Sequence, residues 1–463
     1  MYCSKYNGIP SPLTTLKVVR DDTFKKMTLL HRRILYSLFF LVFFITAPIV
    51  ILWAQGYRYN FSQHCLQKTG VLFLESKPSK ANIFLNKKLQ NETTTARLKN
   101  LLPDDYFVEV KKDNFQTWQK NLKVNESQTT FAQYIRLFKQ NPKIENIFSE
   151  KIIQTSEKIN DNLAIIYEKD KQNHLGILNF ENQNLTELTL LNFTPEKIIL
   201  SQDSLFILLI TSFNENLIFD VKNKKIIDLT KITKQNIKKI NWFKNNEDEI
   251  IYIQTNNSLL ESNLISNKSI VLISQPILDF YLINNSIFWL QKTSSQILLN
   301  KVELNNLKNI QTISTLPISD SYEFQKTPET HLSLLDKNNN IFYLIDIKDN
   351  TKQIFPEINY MSWSPNNKNI LLINDFEIIV FDLEKQEKNL IVRLSNKILQ
   401  TFWYPVSTHI IYLTNENIKA VENISDEKQF NILVNQKNIQ QFFIFNKNKI
   451  YFINEQGINS AEI

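Results

Sequence analysis

Glycine is scarce in this chain: five residues among 463. Turns that need left-handed backbone must therefore fall mostly to Asn and Asp, the residues that tolerate it best after glycine. Cysteine is scarcer still. Cys3 and Cys65 flank a long apolar run, so an intrachain disulfide between them would have to cross a bilayer and none is expected; pairing of Cys65 with a second chain stays open. The five histidines are His31, His64, His174, His331 and His409, and none has metal-ligand spacing to another His or Cys. There is no G-x-S-x-G, no phosphate-binding loop and no dinucleotide-binding fingerprint. No catalytic, cofactor-binding or metal-binding residue is expected, no cofactor is implied, and the chain does not read as an enzyme.

A single sign of charge is also missing from most of the chain. The net charge is +7. Residues 1–33 carry Lys5, Lys17, Arg20, Lys25, Lys26, Arg32 and Arg33 against Asp21 and Asp22, which is +5 and leaves the other 430 residues near +2. A nearly neutral body argues against nucleic acid as a partner, because phosphate binding needs a concentrated basic face. What is present is apolar: 43% hydrophobic and 12% aromatic residues, enough for two or three folded units.

Ile34 to Trp53 runs for 20 residues without a charge. As a helix it spans about 30 Å, the thickness of a bilayer's hydrocarbon core. His31-Arg32-Arg33 abuts its start, while Trp53, Tyr57 and Tyr59 mark its exit. Positive charge stays inside and aromatic rings favour the headgroup layer. The expectation is a single-pass membrane protein: a cytoplasmic basic tail at 1–33, a transmembrane helix at 34–53, a linker at 54–68 and a body outside. A cleaved signal peptide is the rival, but its apolar stretch is shorter and ends on small residues rather than Ile51-Leu52-Trp53. Residues 1–26 are either a tail without periodicity or lie upstream of a true start at Met27.

From Thr69 onward short strands replace the helix. VLFLESKPSKANIFLNKK reads as strand, turn, strand, and Tyr106 to Val110 alternates cleanly, with turns at Pro78, Asn86, Pro103-Asp104-Asp105 and Asp113-Asn114. Ser76-Lys77-Pro78-Ser79-Lys80-Ala81 with Ile83–Asn86 resembles the first hairpin of PEGA domains, Pro78–Ala81 standing at the Pro-Glu-Gly-Ala signature. Leu102-Pro103-Asp104-Asp105-Tyr106 through Lys111–Phe115 resembles that family's second conserved stretch. Lys80, Asp104 or Asp105, and Asn114 stand where the family has glycine. The resemblance covers about 69–126 and implies a small surface β-sandwich without catalytic residues.

Residues 151–463 repeat with a period near 40. Strand-end anchors fall at Ile159, Leu200, Trp242, Tyr281, Phe324, Trp363, Trp403 and Phe443, spaced 41, 42, 39, 43, 39, 40 and 40 residues apart. A third strand in each unit ends at Asn179, Asp220, Asn263, Glu303, Asp346, Asp382 or Asn423. Four short strands per unit predict a β-propeller of seven or eight blades. Trp363–Ile370 (WSPNNKNI) resembles the turn of Tol-system propellers; the Gly-His and Trp-Asp dipeptides of WD repeats are absent. The last unit ends after its third strand, so a strand within 127–150, either Gln133–Gln140 or Glu145–Glu150, is expected to close the ring.

The recurrence of Asp220, Asp346 and Asp382 at one blade position reads as capping of turn amides rather than as a carboxylate set. Trp242, Trp363 and Trp403 read as packing between blades. Tyr404 and Tyr322 read as exposed loop residues available to a ligand. The fold class is therefore mainly β, with one N-terminal transmembrane helix, a small PEGA-like β-sandwich and a C-terminal propeller. The function expected is non-enzymatic: a membrane-anchored extracytoplasmic binding or scaffold protein of the cell envelope, its propeller loops meeting an envelope polymer or a protein partner. A subunit of an envelope machine is one alternative. A glycan hydrolase or lyase using channel carboxylates is another.

Overall fold

A computed structural model describes residues 29–61, 63–212, 215–233, 235–242, 250–423 and 427–463. Cys3, most of the basic tail and part of the third repeat's first turn lie outside the described residues. The chain forms two compact units. The first runs to Phe73 and includes Arg97–Tyr106 and Leu122–Phe131; the second comprises Leu74–Ala96, Phe107–Asn121 and Ala132–Ile463.

In the first unit, helix α1 spans Leu29–Ala54, starting earlier than the charge-free run because His31, Arg32 and Arg33 are themselves helical. Its apolar side chains from Ile34 to Trp53 are exposed on every face. A hairpin follows at once, β1 (Tyr57–Asn60) pairing with β2 (Cys65–Lys68).

Seven strands come next: β3 (Gly70–Lys77), β4 (Asn82–Leu85), β5 (Lys88–Thr93), β6 (Ala96–Leu101), β7 (Asp104–Lys111), β8 (Trp118–Val124) and β9 (Thr129–Arg136). They make one sheet in the order β6-β3-β9 and another in the order β5-β4-β7-β8. Alternate residues are buried, such as Leu72 and Leu74, Ile83 and Leu85, Val108 and Val110. Lys80 and Asn114 adopt positive φ (59° and 67°). Asp104 and Asp105 do not, because both already belong to extended β7. Among the described non-glycine residues with positive φ, ten are Asn and one is Asp; Lys, Ser, Gln, Glu, His and Tyr supply the other twelve. Turn formation is thus shared more widely than the scarcity of glycine suggests.

The second unit contains the propeller, eight four-stranded antiparallel sheets. Blades 1 to 7 occupy 151–191, 197–228, 237–273, 280–316, 322–355, 360–393 and 400–434, each ordered A-B-C-D from its first strand to its last. Blade 8 takes its A, B and C strands from Gln441–Ile444, Lys449–Asn454 and Gly457–Glu462. Its D strand is β10 (Ile144–Phe148), paired antiparallel with the C strand as Ile144↔Ala461, Glu145↔Ser460 and Asn146↔Asn459. This pairing covers the open edge that an unclosed ring would leave. Gln133–Gln140 does not serve: its first part is the end of β9, where Ala132 and Ile135 face inward beside β3.

The propeller core is a ring of inter-blade clusters, built by strand alternation. In blade 7, Ile410 and Tyr412 pack toward blade 6 with Leu371 and Val380, while Ile411 and Leu413 pack toward blade 8 with Phe442 and Phe452. The last cluster joins Phe443 and Tyr451 of blade 8 to Leu163 and Tyr167 of blade 1. A period-2 pattern that is apolar on both faces suits a strand sandwiched between neighbouring blades.

Candidate functional site

Antiparallel strands put the A–B and C–D turns of every blade on one propeller face and the B–C turns and D–A loops on the other. Repeated side chains shape the first face. Ser201 and Ser364 follow the A strand and accept the amides of Phe206 and Asn369, each at 2.9 Å. At the C-strand ends, Asp220 accepts Asn223 N (2.9 Å), Asp346 accepts Lys348 N (2.7 Å) and Asp382 accepts Glu384 N and Lys385 N (2.9 and 3.0 Å). These carboxylates are committed to turn backbone in separate blades. The tryptophans reach the preceding blade: Trp363 donates to Ser333 Oγ at 3.0 Å and Trp403 to the Ser362 carbonyl at 3.1 Å.

At blades 7 and 8 this face is occupied by residues from β8, the end of β9 and the turns beside them. Trp118 Nε1 donates to Glu422 Oε1 at 2.7 Å, and the Lys120 ammonium pairs with the other oxygen, both side chains of the pair being only 8% exposed. Gln116 donates to the Ile432 carbonyl (2.6 Å) and accepts from Asn431 (3.1 Å). Arg136 donates to Lys447 O and Asn448 Oδ1 (2.6 and 2.8 Å), and Lys139 pairs with Glu462. Phe138 lies edge-on to Tyr404 and His409, with centroids 6.2 and 5.4 Å away. Burial holds the His409 imidazole well below its ordinary pKa, at about 4.

Tyr404 and Tyr322 are therefore not ligand-facing. Tyr404 is 1% exposed, packs against Phe138 and donates its hydroxyl to the Lys447 carbonyl; Tyr322 is buried and donates to the Pro317 carbonyl at 3.1 Å. Tyr404, just past its A strand, looks like loop in sequence but is covered from the A–B turn of blade 8, whereas Tyr322 opens the A strand of blade 5.

Near the propeller axis the blades are stitched by polar side chains on or beside the A strands. Asp279 is buried and accepts Lys239 Nζ (2.7 and 2.9 Å), Phe280 N (2.8 Å) and Phe324 N (2.7 Å), so one carboxylate ties blades 3, 4 and 5. Burial pushes its pKa up, with Lys239 and the amides opposing. Gln400 accepts Phe442 N (2.8 Å) and Gln441 accepts Thr155 Oγ1 (2.8 Å), linking blades 7, 8 and 1. A cavity of about 290 Å³ beside the latter pair is lined by Ile152–Thr155, Gln440, Gln441 and Ile453.

The larger concavity lies on the other face, between blades 5 and 6. It is an open cleft of about 560 Å³. Asn339 and Asn340 come from the B–C turn of blade 5, Glu357 and Asn359 from the D–A loop, and Asn374–Glu377 with Arg393 from blade 6. Its walls are braced internally. Asn359 donates to Asp375 Oδ1 (3.0 Å), Lys397 pairs with the same oxygen (3.2 Å), and Arg393 Nε donates to Glu377 Oε1 (2.6 Å). Asn374 caps its own turn, accepting from Phe376 N and Glu377 N (3.0 and 2.8 Å). The Phe376 ring stays half exposed, among amides, carboxylates and a guanidinium. Such a set can hydrogen-bond a polar chain while a ring face packs on it. Sequence reasoning did not single these residues out, because Asn and Glu in turns are common in this composition. Among the described residues no group of three His, Cys, Asp or Glu is placed to hold a metal.

No family model matches the chain, and no curated protein does. Solved structures similar to it include a eukaryotic initiation factor (13% identity, 69% of this chain and 85% of that one, TM-score 0.48). The C-terminal WD40 domain of Sif2 (14%, 69% and 98%, 0.47) and the Dos1 propeller (14%, 69% and 94%, 0.48) are others. At these values the likenesses transfer no function; the chain is a β-propeller on the strength of its own eight sheets.

Proposed function

We propose that the chain is a membrane-anchored, extracytoplasmic, non-enzymatic binding protein. Its propeller offers the face made by B–C turns and D–A loops to an envelope polymer or a protein partner. The cleft between blades 5 and 6 carries this reading: it is the larger concavity described, and it lies on the face opposite the turns that hold β8 and β9. Its amide-rich walls and half-exposed Phe376 favour a polyhydroxylated or amide-bearing polymer.

The anchor reading is supported by α1, which buries no face against protein. The 14 Leu, Ile, Phe and Val between Ile34 and Trp53 favour insertion by about 0.3–0.6 kcal/mol each, about 4–8 kcal/mol together. Arg32 and Arg33 favour a cytoplasmic N-terminus and an outside body. The seven strands β3 to β9 form a PEGA-like module in this proposal, supported by positive φ at Lys80 and Asn114, where that family carries glycine. The Ser364-capped turn after Trp363 supports a Tol-type propeller.

The test is binding of the full chain, in detergent, to solubilised envelope and to a glycan array, beside Phe376→Ala and Arg393→Ala. Retention of a polymer or partner, lost in both variants, supports the proposal. Turnover of a glycan, abolished by one Asp or Glu substitution, would overturn the non-enzymatic reading; equal binding by both variants would remove the cleft from it.

A further inference from the structure

We infer that the hairpin of β1 and β2 lies in the lipid headgroup layer and forms a second attachment of the chain to the membrane. The inference rests on the anchor reading of α1. The helix ends with Gln55 N on Ile51 O (2.9 Å) and Gly56 N on Trp53 O (3.2 Å), and Gly56 at φ 88° turns the chain straight into β1. Arg58 bends back onto the last helical turn: its Nη1 donates to the Trp53 carbonyl at 2.9 Å and its guanidinium stands 4.7 Å from the Trp53 ring centroid. At the other end Thr69 donates both its amide and its hydroxyl to Gly56 O, each at 2.9 Å. The chain thus leaves the hairpin where it entered. At about 3.3 Å per residue the turn can stand no more than about 20 Å from the helix terminus.

The hairpin's composition matches the headgroup layer. Phe61 is 80% exposed and Leu66 53%. Tyr59 is exposed too and stacks edge-on to Phe61 at 5.0 Å. Apolar and aromatic groups are thus displayed within reach of the helix exit. Arg58 and Lys68 supply positive charge, Lys68 lying 5.5 Å over the Tyr57 ring, and the sequence from Ala54 to Leu74 contains no Asp or Glu to neutralise them. Cations beside aromatic rings, on a segment continuous with an apolar helix, complement lipid phosphates and the carbonyl layer below them. Arg58 also donates to Asn100 Oδ1 at 3.1 Å, which couples the hairpin to β6 as well as to α1.

The test uses the full chain with Cys3→Ser and Cys65→Ser, carrying a spin label at Gln63→Cys or, as a control, at Phe44→Cys, in vesicles of zwitterionic and anionic phospholipid. Collision with dissolved oxygen is compared with collision with a water-soluble nickel chelate. The expected result is loss of nickel access at both positions with oxygen access retained, and recovery of nickel access at 63 when Phe61→Ser and Leu66→Ser are added. A lipid-like position 44 with a water-like position 63 overturns the hairpin inference alone. A water-like position 44 overturns the anchor reading. Shielding of position 63 from both agents, with dipolar broadening between labels, assigns the hairpin to a second copy of the chain and also overturns the inference.

Discussion

The ion pair of Lys120 and Glu422 sits where little water reaches it, so removing one partner should cost far more than removing both. Glu422 accepts from Trp118 Nε1 at 2.7 Å and weakly from Gln429 N at 3.4 Å, besides pairing with Lys120. Glu422→Leu takes the carboxylate away from both the Lys120 ammonium and the Trp118 indole N–H. A broken buried pair costs about 3–5 kcal/mol, and the lost indole hydrogen bond adds about 1 kcal/mol. Lys120→Met leaves the carboxylate its hydrogen bonds from Trp118 and Gln429, so its cost belongs at the lower end, about 3 kcal/mol. The double variant replaces charges by apolar groups of similar size and should fall within about 1 kcal/mol of the parent, because the desolvation cost disappears with the attraction. The coupling energy is then about 5 kcal/mol or more, unlike the 0.2–1 kcal/mol or so of exposed pairs. Native-state hydrogen exchange on the full chain reads the local opening of residues 116–121 and of the blade 7 C–D turn, which a global melt of a multi-unit protein would blur. A coupling below about 1 kcal/mol would show that water screens the pair and refute the reasoning.

Two further outcomes follow from single positions. A Cβ at Gly457 would stand 2.0 Å from Phe148 O and 3.0 Å from Glu150 O, with φ at 99°, so Gly457→Val should cost at least about 2 kcal/mol through backbone strain and displacement of β10; a melting curve equal to the parent's would show that β10 does not hold the ring. His409 is neutral in the fold with its pKa lowered by burial to about 4, against about 6.5 unfolded. Its contribution is therefore whole above pH 6.5 and fades as pH falls toward 4, a loss approaching about 3 kcal/mol. Melting temperatures between pH 7.5 and 4 should fall less steeply for His409→Phe, and parallel curves for the two proteins would contradict the assignment.

Repetition made the propeller legible. Each blade solves the same local problem, so acidic or amide residues at C-strand ends and strands apolar on both faces recur about every 40 residues, Ser-capped turns return in some blades, and the signals reinforce one another. The apolar helix was legible for a simpler reason: a long charge-free run bounded by arginines has few other uses. Non-repeating polar contacts left no trace. Trp118 and Glu422 are 304 residues apart, and Arg136 and Asn448 are 312 apart, with nothing local to pair them. Asp279 is a lone acid between Leu278 and Phe280, and its partner Lys239 lies 40 residues away, so nothing local shows that it carries three blades. Tyr404 failed for the same reason: its burial depends on Phe138, from a stretch outside the repeats. The cleft between blades 5 and 6 is made of turn residues whose sequence signal is that of any turn, and only the meeting of two B–C turns and one D–A loop distinguishes it.

Attachment of the segment after β9 and ring closure share one strand of blade 8. Phe138 and Gln140 are held by Gln116 N and the Asn114 carbonyl at 2.8 and 3.0 Å, and Lys139 between them pairs with Glu462 at the end of the C strand. Four residues after Gln140 the chain becomes β10 and pairs along that same C strand. The segment is too short to absorb much movement, so displacing residues 137–140 from blade 8 pulls directly on the pairing of Ile144 with Ala461. Conversely, an unpaired β10 frees the chain beyond Lys139 and weakens its contact with Glu462. Attachment of β8 and β9 to the A–B and C–D face and closure of the propeller are therefore expected to be coupled. Loosening the ring at this seam exposes Phe138 and Tyr404 together. The opposite face, with its cleft two blades away, rests on inter-blade clusters that do not include this segment.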